Sequence, residues 1–233
     1  MIELTKEQSV ADVARLLPPS IEVFENAGID YCCRGAHTLQ SAAWDAGFDI
    51  DDLIARIASM PAQRSADESL TALVRFIIRD HQTSIGREIP RMRTTIEKAV
   101  TKHGSTSPKL ARIERIFVRF AAATTAHMLN EERDLLPLIE SIDSAAQGNA
   151  PLPHLRISQR VLGELVEHER LHEQMRTMRE LAAQAPADCC TVALRSALDE
   201  FARHVHFHMH VENNILYPRA IEMENQLRRT QTA

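Results

Sequence analysis

Residues 127–137 read HMLNEERDLLP, and residues 208–218 read HMHVENNILYP. In register, His127 falls on His208, Met128 on Met209, Glu131 on Glu212, Leu135 on Leu216 and Pro137 on Pro218. Residues four apart on a helix share a face, with Cβ atoms ~5–6 Å apart. Each copy therefore aims one imidazole and one carboxylate at a single spot. Hydrophobic patterning alone does not demand a His and a Glu at fixed offset before a Pro, whereas a shared ligand does.

Two further segments supply imidazoles. His168 and His172 have the same four-residue spacing within HERLH, and His81 stands in IIRDHQTSI among Ile77, Ile78 and Ile85. Mixed imidazole and carboxylate ligands suit iron, manganese or zinc. If each of four helices presents a His near its middle, Glu131 and Glu212 can bridge two ions held along a bundle axis.

The rest of the chain supports such helices. Aromatics make up 4% of the 233 residues and Gly only 7 of them, while Ala, Leu, Arg and Glu dominate. This is a helix-forming vocabulary, so the expected fold class is all-α. Four long amphipathic segments are expected at roughly 68–102, 108–142, 153–184 and 188–226, broken by HGSTSP, SAAQGNAPLP and QAPAD. Long rods with short connections favour an up-down-up-down four-helix bundle over 68–226. Pro90, Pro137 and Pro218 fall inside the rods and predict kinks.

Residues 1–60 have a different texture and predict a small domain of short helices. Ser9 with Asp12 signals one N-terminus, Pro18–Pro19 end that helix, Gly47 closes a third, and Asp49 or Asp51 caps a fourth. Between them GIDYCCRGAHT reads as a loop. PAQRSAD at 61–67 reads as a linker, and 227–233 as a tail.

Charge and composition exclude several classes. Lys plus Arg number 27 against 32 Asp plus Glu, a formal charge of −5, which leaves no electrostatic footprint for nucleic acid or an anionic membrane. No apolar run approaches the ~20 residues of a membrane span, and the start MIELTKEQSVAD does not read as a signal sequence, so a cytoplasmic protein is expected. The cysteines form two adjacent pairs, Cys32–Cys33 and Cys189–Cys190, expected as free thiols in a reducing cytosol.

Competing motifs rank lower. HERLH matches the zinc-peptidase pattern H-E-x-x-H, with Glu169 as general base. No further His follows at the spacing a third ligand would need, and the peptidase reading leaves both copies of the repeat unexplained. A ferritin-like centre would need Glu-x-x-His twice, and Glu169–His172 is the one instance. Of the remaining histidines, His204 could support His208 from one turn away. His206 and His210 face away from His208 and are expected in solvent, and His103 and His154 are expected in loops.

The C-terminal two-thirds resembles the hemerythrin-like domain family, on HMLNEE at 127–132, EHE at 167–169 and HMHVENN at 208–214. The whole chain resembles the iron–sulfur cluster repair di-iron proteins, in which a small Cys-Cys domain, here DYCCRG at 30–35, precedes such a bundle. The resemblance implies a non-haem di-iron centre, oxo- and carboxylate-bridged, with ligands His81, His127, Glu131, His168, His208 and Glu212. It also implies a bacterial, cytoplasmic protein of the stress response. Damaged iron–sulfur proteins would be its partners, nitric oxide or oxygen its small ligand, nitric oxide reduction a proposed activity, and a homodimer its assembly. Cys32 and Cys33 are then the candidate catalytic thiols, as a redox or iron-transfer handle. Arg34 stands where that family commonly has Gly, a cation expected to favour thiolate. His172 is a candidate extra ligand. An oxygen or nitric oxide sensor or storage protein, the zinc peptidase and a metal-free bundle are the alternatives.

Overall fold

A computed structural model describes residues 4–60, 69–104 and 107–231. The expected linker at 61–67 lies outside the described residues. The described chain is helical, with one isolated antiparallel bridge between Ser9 and Thr38. It divides into two compact units, one made of Met1–Ser69 with His206–Arg219 and the other of Leu70–Val205 with Ala220–Ala233.

In the first unit, α1 (Val10–Leu16), α2 (Ser20–Ala27), α3 (Leu39–Ala46) and α4 (Ile50–Ala58) follow the signals of the sequence. Ser9 Oγ accepts from the Asp12 amide, and Asp49 caps α4 by accepting from the amides of Asp51 and Asp52. Gly28 and Gly47 end α2 and α3 in the left-handed region, at φ 68° and 69°, where a side chain would be strained. The core gathers Val10, Val13, Phe24, Tyr31, Leu39, Leu53 and Ile57.

The second unit holds long helices. α5 (Leu70–Thr83) and α6 (Ile89–His103) are joined by a π-helical turn, Ser84–Glu88. α7 (Pro108–Asn130) and α8 (Leu136–Ala146) are joined by another, Glu131–Leu135. α9 (Ile157–Ala183) is uninterrupted, and the third π turn, Glu212–Leu216, which α10 (Cys189–Val211) and α11 (Tyr217–Gln231) flank, belongs to the His206–Arg219 segment of the first unit. α5 packs on α8 and α6 on α7, so the first two rods run antiparallel, and α9 packs along α7. Buried carboxylates tie helix starts to distant segments: Asp143 accepts from the Thr71 amide at 3.1 Å, and Glu224 from the Ile157 amide at 3.2 Å.

The three π turns are how the chain accommodates its internal prolines. Proline lacks the N–H of the α ladder, and its ring clashes with the carbonyl four residues back. Here the ladder widens first: the amides of Ile89, Leu136 and Tyr217 reach the carbonyls of Ser84, Glu131 and Glu212, five residues back. Each extra residue lets the next helix begin with Pro in its second position, where the missing donor costs least. The expected kinks are thus wide turns placed just upstream of the prolines. The expected tail is helical as far as Gln231, with Arg228 tied to Glu224 and to the Pro153 carbonyl.

Candidate metal centre

In the second unit the candidate ligands of three rods converge. His81, His127, Glu131 and His168 are all buried, and His81, Glu131 and His168 completely. Glu131 Oε2 lies 3.5 Å from His81 Nε2 on one side and 3.3 Å from His127 Nε2 on the other. His127 Nε2 and His168 Nε2 are 2.8 Å apart with their rings edge to face, and the donor atoms of His127, Glu131 and His168 all fall within 4.8 Å of one another. Helical spacing explains the local part, since Glu131 is one turn after His127. The π turn that begins at Glu131 explains why its carbonyl, rather than Glu132's or Arg133's, closes the ladder ahead of Pro137.

The outer nitrogens of two imidazoles are spoken for. His81 Nδ1 meets Glu132 Oε1 at 3.1 Å, and His127 Nδ1 meets Glu164 Oε2 at 3.0 Å. A carboxylate oxygen accepts, so each Nδ1–H donates to its acid, and Nε2 is the ring atom turned toward Glu131. A carboxylate behind a ligating imidazole fixes the tautomer and raises its basicity. The sequence reading missed both acids. The signals were available: Glu132 is the second acid of NEER, and Glu164 stands one turn before His168 in GELVEH.

These residues fit a transition-metal ion on their chemistry. A carboxylate with no solvent exposure is stable only when paired or bound to a cation. Nitrogen ligands at right angles on one ion, each ~2.1 Å from it, would stand ~3 Å apart, close to the His127–His168 separation. Imidazole nitrogens with carboxylate oxygens are the donor set for iron, zinc or manganese.

In the first unit, the segment His206–Arg219 carries the second copy of the repeat. His208 Nε2 lies 3.0 Å from Glu212 Oε2, and both residues are buried. The flanking histidines correct the sequence reading, because His206 and His210 are buried rather than in solvent. His206 Nδ1 is 2.9 Å from Glu25 Oε1, which also accepts from the Tyr31 hydroxyl. His210 Nδ1 donates to the Tyr31 carbonyl at 3.2 Å, and burial holds its pKa down to about 4, so the ring is neutral. Asn213 and Asn214 donate to the Cys32 carbonyl. Side chains of this segment thus hold the backbone of the DYCCRG loop.

At Cys32 the surroundings work against the thiolate that Arg34 was expected to favour. Cys32 is buried, and its pKa is pushed well above the usual range, first by burial, then by its hydrogen bond with Cys33 and by the Asp30 carboxylate. Arg34 is exposed, while Gly35 is the position that needs glycine: a Cβ there would stand 2.7 Å from Ala11 Cβ and 2.9 Å from the Tyr31 carbonyl oxygen.

Other candidates are sorted by position. His204 Nε2 bonds Ser84 Oγ at 2.8 Å and lies 3.5 Å from Asp80, so it anchors the first π turn. His172 is half-buried and joins none of the buried His/Glu groups among the described residues, and Glu169 is exposed. HERLH therefore does not present two His and a base to one ion.

Comparison with known proteins agrees with this order of parts. Residues 6–60 match ScdA_N, a domain of unknown function (DUF542), and residues 165–231 match the hemerythrin HHE cation binding domain. An iron-sulfur cluster repair protein YtfE of Yersinia pseudotuberculosis serotype IB (strain PB1/+) is 28% identical over 232 residues, covering 94% of this chain and 99% of its own. The YtfE of Yersinia pestis (strain Pestoides F) is similar to the same extent, 28% identical with the same coverage. No helix among the described residues is long and apolar enough to cross a membrane. The chain is YtfE-like along nearly its whole length, with an ScdA_N domain followed by a hemerythrin HHE cation-binding domain.

Proposed function

We propose that this chain takes part in repairing iron–sulfur clusters and carries two iron ions held by His81, His127, Glu131, His168, His208 and Glu212. The observation that carries the reading is Glu131, fully buried with an imidazole nitrogen on either side of one carboxylate oxygen. The repeat extends it: Glu212 follows His208 as Glu131 follows His127, and each Glu opens a π turn. Bound iron would supply redox chemistry and a coordination position for nitric oxide or oxygen. The chain's own part is to orient the His81 and His127 rings, whose Nδ1–H groups donate to Glu132 and Glu164, and to keep the donor atoms buried away from water. A damaged iron–sulfur protein in the cytoplasm would be the partner, receiving iron released from the carboxylate-held site.

The test is metal content of anaerobically purified protein together with restoration of a nitric oxide-damaged [4Fe–4S] enzyme. About two irons per chain are expected. Glu131→Ala should lose iron and restoration together. Restoration at the wild-type rate by iron-free Glu131→Ala would overturn the assignment, as would one zinc per chain.

A further inference from the structure

The second cysteine pair has the opposite character to the first. Cys189 and Cys190 open the 23-residue helix α10, and Asp188 caps it by accepting from the amides of Cys190 and Thr191 at 2.8 and 2.9 Å. α6 ends beside them. Lys102 Nζ lies 3.4 Å from Cys189 Sγ and 3.5 Å from Cys190 Sγ, and the two sulfurs are 3.8 Å apart. His103 pairs with Asp188, so this histidine ends a helix rather than sitting in a loop. Cys189 is exposed.

We propose that Cys189 is a reactive thiolate and a site of mixed-disulfide formation with low-molecular-weight disulfides, activated by Cys190 and Lys102. Three features stabilise its negative charge: the Cys190 S–H donating to it, the Lys102 ammonium, and the N-terminus of α10. Asp188 opposes them, but its charge is engaged by His103, Lys102 and two amides. The balance lowers the Cys189 pKa from its ordinary value, with the Cys190 hydrogen bond the largest cause and Lys102 next. In the reaction the Cys189 thiolate attacks one sulfur of the small disulfide. A new S–S bond forms, the old one breaks, and the departing half leaves as a thiolate with the electron pair. The protein thiol is oxidised, and one small thiol is released. Cys32, buried and held protonated, is the built-in comparison within the same molecule.

The experiment treats the intact chain with oxidised glutathione at neutral pH and follows each cysteine by peptide mass spectrometry. Cys189 should be modified first, and Lys102→Gln should slow it about two- to fivefold, since lost thiolate is partly offset by the higher nucleophilicity of a more basic thiol. Iodoacetamide separates activation from exposure: the Lys102→Gln deficit should vanish at a pH above the thiol range. A Cys189 rate equal to that of Cys32, or one unchanged by Lys102→Gln, overturns the proposal.

Discussion

Glu132 Oε1 lies 3.1 Å from the outer nitrogen of His81, fifty-one residues away in sequence. Its neighbour Glu131 approaches the inner nitrogen of the same ring. Two adjacent carboxylates thus grip one imidazole from both sides, and Glu164 does the outer half of that work for His127.

Glu132→Gln and Glu164→Gln should each keep the fold yet weaken metal binding about 10–100-fold, because an amide no longer fixes the imidazole tautomer as a carboxylate does. Competition with a chromophoric chelator measures this. Unchanged affinity in both variants would show that the outer carboxylates do not support the ligands.

The π turn ahead of Pro137 makes a prediction with two signs. In Pro137→Ala the missing donor returns and the α ladder can close, so thermal stability should hold or rise. The one-residue change of winding should move Glu131 and lower metal affinity. Scanning calorimetry and metal titration on one preparation check it, and a parallel fall in both would mean that the π turn serves stability alone.

The DYCCRG loop distinguishes its two positions after the cysteines. Gly35→Ala would press a methyl group onto Ala11, Asn214 and the Tyr31 carbonyl, costing about 1–3 kcal/mol. Arg34→Gly, at an exposed position, should stay within about 0.5 kcal/mol. Urea unfolding compares them.

The raised pKa of Cys32 gives a pH dependence of definite sign. The folded state keeps the proton after the unfolded chain has lost it. Stability from this group is therefore complete below the unfolded thiol pKa and falls as pH rises through the alkaline range above it. Unfolding midpoints at alkaline pH should drop less in Cys32→Ala than in the wild type. Equal slopes would place the alkaline loss elsewhere.

The choice of Asp49 over Asp51 as the cap of α4 came from the structure, while the sequence by itself determined the helices, the cap at Ser9, the breaks between the long rods and the pairing of His with Glu in each repeat. These follow from short-range rules: periods of 3.6, turn residues, and two side chains one turn apart. His127, Glu131 and His168 stand out because each belongs to a four-residue spacing that hydrophobic burial alone does not require, whereas His81 stands alone among isoleucines and is singled out only as the imidazole of the remaining rod. The tertiary structure decided what depends on neighbours distant in sequence. Glu132 and Glu164 find imidazoles only after folding, and His206 and His210, polar by type, are buried because Glu25 and the Tyr31 carbonyl satisfy them. The two cysteine pairs look alike in sequence. Burial beside Asp30 keeps Cys32 protonated, while Lys102, brought in by another helix, favours thiolate at Cys189. Desolvation and the charge of a non-local neighbour set the ionisation of a thiol, and neither is written in the residues beside it.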